Sequence, residues 1–169
     1  INALTTKRLE GFSDGVLAII ITIMVLELKV PKGSSLRDLQ PLLPTFVTYI
    51  LSFIYLGIYW NNHHHLMHHY KNVNAPILWS NLHLLFWLSL FPFATGYMGE
   101  NHFEKLPTAI YGSILTMASI AWYILQKALE AKHPTVNTNR KKDFKPSLSI
   151  VLYLTATLLS FLYPIVAAG

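Results

Sequence analysis

The sequence predicts an all-α membrane protein that crosses the bilayer several times. Of its 169 residues, 53% are apolar and 12% are charged, whereas charged residues make up about a quarter of an ordinary soluble domain. Five apolar stretches are long enough to cross a membrane, since about 30 Å of hydrocarbon needs about 20 helical residues. The chain contains no cysteine, which excludes disulfides and thiolate metal sites.

The five predicted spans form one transmembrane domain over residues 1–169. They cover residues 9–30, 42–61, 76–98, 107–128 and 146–168. Prolines stand at the start of several spans, because the first helical turn does not need that residue's N–H. Pro92 and Pro164 fall inside the third and fifth spans, where a kink rather than a break is expected.

The positively charged residues predict a cytoplasmic amino terminus. With that orientation nine Lys and Arg residues lie on the inner side and four on the outer side, as the positive-inside rule requires. The inner nine are Lys7, Arg8, Lys71, Lys127, Lys132, Arg140, Lys141, Lys142 and Lys145. The formal charge of +5 therefore reflects topology, and no basic face interleaved with aromatic residues indicates nucleic-acid binding.

The first span combines ionisable residues at its start with an unbroken apolar stripe. At about 100° per residue, the stripe residues share one face, a pattern typical of a helix that meets its own copies or its neighbours. They are Phe12, Val16, Ile19, Ile23, Leu26 and Val30. Asp14 points about 140° away from Ile19. Because an unpaired carboxylate in hydrocarbon is costly, other helices must satisfy it, unless an ion pair with Arg8 simply holds the helix end.

Two motifs in these spans resemble a known family. Residues 8–14, Arg-Leu-Glu-Gly-Phe-Ser-Asp, and residues 60–63, Trp-Asn-Asn-His, are similar to the Arg-x-x-x-Phe-Ser-Asp and Trp-x-x-His motifs of the transmembrane-protein-175 potassium channels. The resemblance implies six helices per repeat, so that a sixth span is expected beyond residue 169. It also implies a homotetramer with the first helix lining a central pore.

The same resemblance assigns the pore residues. It implies that Ile19, Ile23 and Leu26 form a hydrophobic constriction, with Thr22 next to it. An apolar tube offers no substitute for an ion's water shell, so conduction needs the tube to widen and hydrate. Potassium releases its shell more readily than sodium, which predicts a moderate preference for potassium over other monovalent cations. The expected setting is a prokaryotic cell membrane, in contact with lipid, and without a cofactor.

A second segment has the composition of an ion filter. Residues 95–99, Thr-Gly-Tyr-Met-Gly, contain the residue types of the tetrameric potassium filter in scrambled order. That filter needs a re-entrant loop behind a short pore helix, whereas the third span runs straight into this segment. We expect Gly96 and Gly99 instead to end the third span at the outer surface.

The histidines after the second span suggest other classes of function. Residues 65–69, His-Leu-Met-His-His, match one histidine box of the membrane di-iron desaturases, which need several boxes on one side of the bilayer. We therefore expect a solvated cluster without a metal and assign no catalytic residue. A histidine-box metalloenzyme and a secondary transporter stay open as alternatives to a channel.

A polar network is expected to hold the first helix to the second and third, within or between subunits. Its proposed members are Arg8, Phe12, Ser13, Asp14, His63, Asn81 and His83. At the outer side, Glu27, Glu100 and Glu104 are expected to be solvated surface residues, with the concentration of cations near an entrance as the alternative. Gly112 with Thr116 is a pair of small residues suited to close helix contact.

Overall fold

The computed structural model describes residues 5–70, 72–132 and 145–159, and these are helical apart from short connections. The helices are α1 (Thr6–Leu26), α2 (Leu36–Leu39), α3 (Leu43–His68), α4 (Ala75–Ser89), α5 (Phe91–Glu100), α6 (Lys105–Lys132) and α7 (Lys145–Leu159). A 3-10 turn, Gln40–Leu42, joins α2 to α3. Among the described residues the β-structure is one isolated bridge, Thr5 to Asn72. The all-α class is confirmed.

Four segments are long and apolar enough to cross a membrane, and they match the first four predicted spans. They are Thr6–Leu26, Leu36–His68, Ala75–Glu100 and Lys105–Lys132. The fifth predicted span begins as α7, and its last part, 160–168 with Pro164, lies outside the described residues. Four of the basic residues used for orientation, Lys71 and the run 140–142, lie outside them as well.

Helix α1 ends at Leu26, four residues earlier than predicted. Pro31 disfavours a helical conformation at the residue before it, and Lys29 forms an ion pair with Glu100 of α5, which draws the chain away from the helix axis. Val30 consequently leaves the predicted stripe. The opposite error occurs in α3, which continues past Asn61 to His68 because no glycine or proline interrupts it.

The third span is broken at Leu90 into α4 and α5. Pro92, the second residue of α5, has no N–H to donate to the carbonyl of Leu88, and the helix is interrupted here, where a kink without a break was predicted. The prediction for Gly96 and Gly99 is wrong, because both lie inside α5. A Cβ on Gly99 would collide with the backbone of α3, so this glycine permits close helix packing rather than ending a helix.

The helices pack around one apolar core. Helix α1 contacts α3, α4 and α5, while α6 contacts α4, α5 and α7. The most deeply buried core side chains include Met24, Leu56, Leu84, Phe91 and Leu125. The close contact expected at Gly112 is present, since a Cβ there would lie 2.5 Å from Thr157 Oγ1 of α7.

Contacts at the two ends of the bundle set the helix directions. The bridge from Thr5 to Asn72 places the start of α1 beside the α3–α4 connection. The ion pair between Lys29 and Glu100 places the end of α1 beside the end of α5. Helix α1 therefore runs antiparallel to α3 and in the same direction as α4 and α5, as successive membrane spans require.

Candidate functional site

Helix α1 has one buried face and one exposed apolar face. Its buried side chains, none more than 4% exposed, are Thr6, Leu9, Ser13, Leu17, Ile20 and Met24. On a neighbouring face, about 120° around the helix axis, Ile19 is 58%, Ile23 45% and Leu26 77% exposed. The rest of the protomer thus fixes α1 through one side and leaves the three predicted constriction residues open to lipid, water or another copy.

Helix α1 also carries Thr22 beside these side chains and two glycines, Gly11 and Gly15, in its first half. Thr22 is exposed, and its hydroxyl donates to the carbonyl oxygen of Ile19 at 2.8 Å. Gly11 and Gly15 lie nearer the start of α1, and a Cβ added at either one would meet no atom within 4 Å. Without side chains at these positions, a second helix can approach α1 closely along its first half.

A buried hydrogen-bonded trio joins α1, α3 and α4. Asn81 Nδ2 donates to Ser13 Oγ at 2.9 Å, and Ser13 Oγ donates to the carbonyl oxygen of Leu9 at 2.9 Å. His63 Nε2 lies 2.8 Å from Asn81 Oδ1. Because an amide oxygen only accepts, His63 carries its proton on Nε2. The structure therefore brings together Ser13, His63 and Asn81 from the predicted network.

Asp14 has a partner that the sequence analysis did not name. Trp60 Nε1 donates to Asp14 Oδ1 at 3.0 Å, and one turn away His64 Nδ1 lies 2.6 Å from Glu10 Oε1. The two carboxylates are four residues apart on α1, and their partners are four residues apart on the antiparallel α3. That matching spacing was the signal that could have identified both contacts.

Three predicted network members stand apart from these contacts. Arg8 and Phe12 are exposed, and His83 accepts from Trp87 Nε1 of its own helix at 2.9 Å. The described ion pairs do not include Arg8 with Asp14. Six residues on a helix separate the two side chains by about 120°, so they point to different sides.

The carboxylates near the end of α1 are partly neutralised. Lys29 pairs with Glu100, whose hydrogen bond and charge raise the pKa of Lys29 above its ordinary value. Glu27 lies against Gly96 of α5. Glu27, Lys29 and Glu100 line one cleft of about 310 Å³, and Glu104, the third predicted carboxylate, is exposed outside it.

A larger, mostly apolar groove lies between α1 and the break in the third span. It has a volume of about 720 Å³, and Ile19 and Ile23 line one wall while Ser89, Pro92 and Phe93 line the other. The groove therefore reaches two of the predicted constriction residues from the side of the protomer.

Hydroxyl groups form a second buried cluster that the sequence analysis missed. Ser52 Oγ of α3 lies 2.6 Å from Thr95 Oγ1 and 2.9 Å from the hydroxyl of Tyr111. Thr48 donates to the carbonyl oxygen of Thr95 at 3.2 Å. Thr95 Oγ1 lies 3.7 Å from Met24 Sδ of α1. The signal was a polar stripe along α3, with Thr45, Thr48, Ser52, Tyr59 and His63 at helical spacing.

The histidine box forms no multi-ligand centre. His63 is buried, whereas His64, His65, His68 and His69 are exposed. Within the part of the chain that the structure describes, no three His, Asp or Glu side chains converge on one point.

Comparison with known proteins settles the family. The family model described as endosomal/lysosomal potassium channel TMEM175 matches residues 8–92, which include both motifs and the buried trio. A potassium channel of Chryseobacterium sp. (strain P1-3) is 55% identical over 98% of this chain and 88% of its own length. The chain belongs to the TMEM175 family.

Other TMEM175 proteins agree with this assignment. The crystal structure of a lysosomal potassium-selective channel TMEM175 homologue from Chamaesiphon minutus matches with a TM-score of 0.81 and 28% identity, over 97% of this chain and 90% of that chain. The endosomal/lysosomal proton channel TMEM175 of Bos taurus is 29% identical over 94% of this chain, which spans 37% of its length.

These relatives confirm the predicted family, and they are channels rather than enzymes, as expected. With its four apolar spans, the chain is an integral membrane protein.

Proposed function

We propose that this chain is a potassium-preferring cation channel. Four copies would surround an axis lined by α1, with Ile19, Ile23 and Leu26 as the constriction and Thr22 beside it. The observation that carries the proposal is the exposure of these apolar side chains on a helix whose packed face lies about 120° around the axis from them. The relatives named as potassium channels support the choice of ion.

The dimensions of the stripe suit a hydrophobic gate. Ile19, Ile23 and Leu26 are separated by four and three residues, so at 1.5 Å per residue their rings would line about 10 Å of pore. Such a tube excludes ions while it is dry and conducts when it widens and fills with water. With no carbonyl or carboxylate ring at this level, selectivity rests on partial dehydration and is therefore moderate.

The contacts of α1 explain how the stripe keeps its orientation. The buried trio, the Asp14–Trp60 contact and the Glu10–His64 contact all lie on the first half of α1. They fix the rotation of the helix about its own axis, while the open positions at Gly11 and Gly15 allow neighbouring copies to come close. This half of α1 faces the cytoplasm in the proposed orientation, as the distribution of Lys and Arg favours. The bacterial relatives favour a prokaryotic membrane.

Ion flux in liposomes tests the proposal. A potassium gradient should drive uptake into vesicles that contain the full chain, and Ile23→Asn should raise the flux and reduce the preference for potassium over sodium. Val25→Asn is the matched control, since Val25 lies on the same helix with 43% exposure against 45% for Ile23, but points about 160° away.

The control should leave flux and selectivity unchanged. Equal effects of the two substitutions, or no effect of Ile23→Asn at wild-type incorporation, would remove Ile23 from the pore.

A further inference from the structure

The end of α3 carries two pairs of exposed histidines with the same spacing. The first pair is His64 with His68 and the second is His65 with His69. Side chains four residues apart are neighbours on a helix, with about 5–6 Å between their Cβ atoms, a separation at which two imidazoles can hold one ion. The rings of His64 and His68 are stacked, with 6.4 Å between centroids and 29° between planes.

A carboxylate distinguishes the first pair. His64 Nδ1 lies 2.6 Å from Glu10 Oε1, so the ring donates through Nδ1 and leaves the lone pair of Nε2 free. A histidine that binds a metal through one nitrogen usually donates its other N–H to a carboxylate, a backbone carbonyl or water, which orients the ring and makes it a stronger ligand.

The second pair is arranged differently. His69 Nδ1 lies 2.6 Å from the backbone carbonyl oxygen of His65, which is a neutral group on the same helix. Within the described residues the ring contacts do not include one between His65 and His69. The two pairs therefore share spacing and exposure but differ in ring alignment and in the charge that orients the ligand.

We propose that His64 and His68 form a binding site for a divalent transition-metal ion, with Glu10 as the orienting carboxylate. Imidazole ligands suit Zn²⁺, Ni²⁺ and Cu²⁺. Because Zn²⁺ is usually four-coordinate, two histidines would leave two of its positions to water. No third His, Asp or Glu converges on this pair among the described residues. An ion bound here would also tie α3 to α1, because Glu10 belongs to α1.

Calorimetric titration of the full chain with ZnCl₂ tests this site, in detergent and without a histidine tag. The wild type should bind one Zn²⁺ per chain at the site, and His64→Ala or His68→Ala should abolish that binding. Glu10→Gln should weaken it by about 10- to 100-fold. A double variant, His65→Ala with His69→Ala, should keep the wild-type affinity.

The outcomes separate a defined site from surface binding. Equal loss of affinity in the His65/His69 double variant would show an adventitious ion only, and unchanged affinity in Glu10→Gln would overturn the role of the carboxylate. Zn²⁺ should also raise the melting temperature of the wild type but not that of His64→Ala. Far-ultraviolet circular dichroism of each variant checks that its helices are intact. None of these measurements depends on ion conduction.

Discussion

Replacing Asn81 by alanine removes the amide that joins three helices near the start of α1. Asn81 is fully buried, accepts a hydrogen bond from His63 and donates one to Ser13. His63 has no second contact to fall back on, because its Nδ1 is buried without a hydrogen-bond partner. Ser13 keeps its bond to the carbonyl oxygen of Leu9, so the damage falls chiefly on the histidine.

The expected loss of stability follows from these contacts. A buried donor left without an acceptor costs about 1–3 kcal/mol. The lost Asn81–Ser13 hydrogen bond adds about 0.6 kcal/mol, the average for a hydrogen bond between membrane helices. We therefore expect Asn81→Ala to lower the free energy of unfolding by about 2–4 kcal/mol. Asn62→Ala, at an exposed position of α3, should change it by less than about 0.5 kcal/mol.

Reversible unfolding by SDS titration in mixed micelles measures these differences. A double-mutant cycle with His63→Ala isolates the pair, since in the double variant neither partner remains to be left unsatisfied. The double variant should cost less than the sum of the two single variants, by at least about 0.5 kcal/mol. Strict additivity, or a cost for Asn81→Ala no larger than that of Asn62→Ala, would refute the role assigned to the trio.

Three further predictions concern other contacts. Asp14→Asn or Trp60→Phe should reduce the assembled fraction seen by size-exclusion chromatography before it alters ion selectivity, and unchanged assembly and currents would show that this contact is dispensable. Gly99→Ala should lower the melting temperature because its methyl group meets the α3 backbone, whereas Gly57→Ala, with no atom within 4 Å, should not; equal melting temperatures would contradict the packing. Glu100 raises the pKa of Lys29 above its ordinary value of 10.5. The ion pair therefore stabilises the fold fully below pH 10.5, and this stabilisation disappears as the pH rises through the higher folded-state pKa. The difference in melting temperature between wild type and Lys29→Met should therefore vanish at high pH, and a constant difference would argue against the ion pair.

Hydropathy and proline positions were sufficient to predict the number and order of the first four spans. Those signals are local, because the length of an apolar run and the missing N–H of Pro92 act within one segment. Helix ends were less predictable. The end of α1 depends on Pro31 and on the ion pair from Lys29 to α5, and the second of these contacts comes from a distant part of the chain.

Among the polar contacts, too, some could be predicted from the sequence, whereas others depend on how distant helices pack. The alternating direction of successive spans predicted that Ser13, His63 and Asn81 lie at one depth of the bundle, and the structure brings them together. The four-residue spacing of Glu10 with Asp14 and of Trp60 with His64 permits the Trp60–Asp14 contact, but that contact was not predicted because it also depends on how α1 and α3 rotate against each other. Gly99 was misread for a similar reason, because close approach by another helix leaves no trace in the sequence around it.

The hydrogen bonds of the buried trio all run in one direction, from donor to acceptor. His63 donates to Asn81, Asn81 donates to Ser13, and Ser13 donates to the backbone carbonyl oxygen of Leu9, so Asn81 and Ser13 each accept one hydrogen bond and donate one. An aspartate at position 81 would have nearly the same size and shape but could only receive, so the serine hydroxyl would have to turn away from its own helix to meet it. Position 81 is therefore selective for an amide over a carboxylate, although the two side chains differ only in an NH2 group that replaces one oxygen.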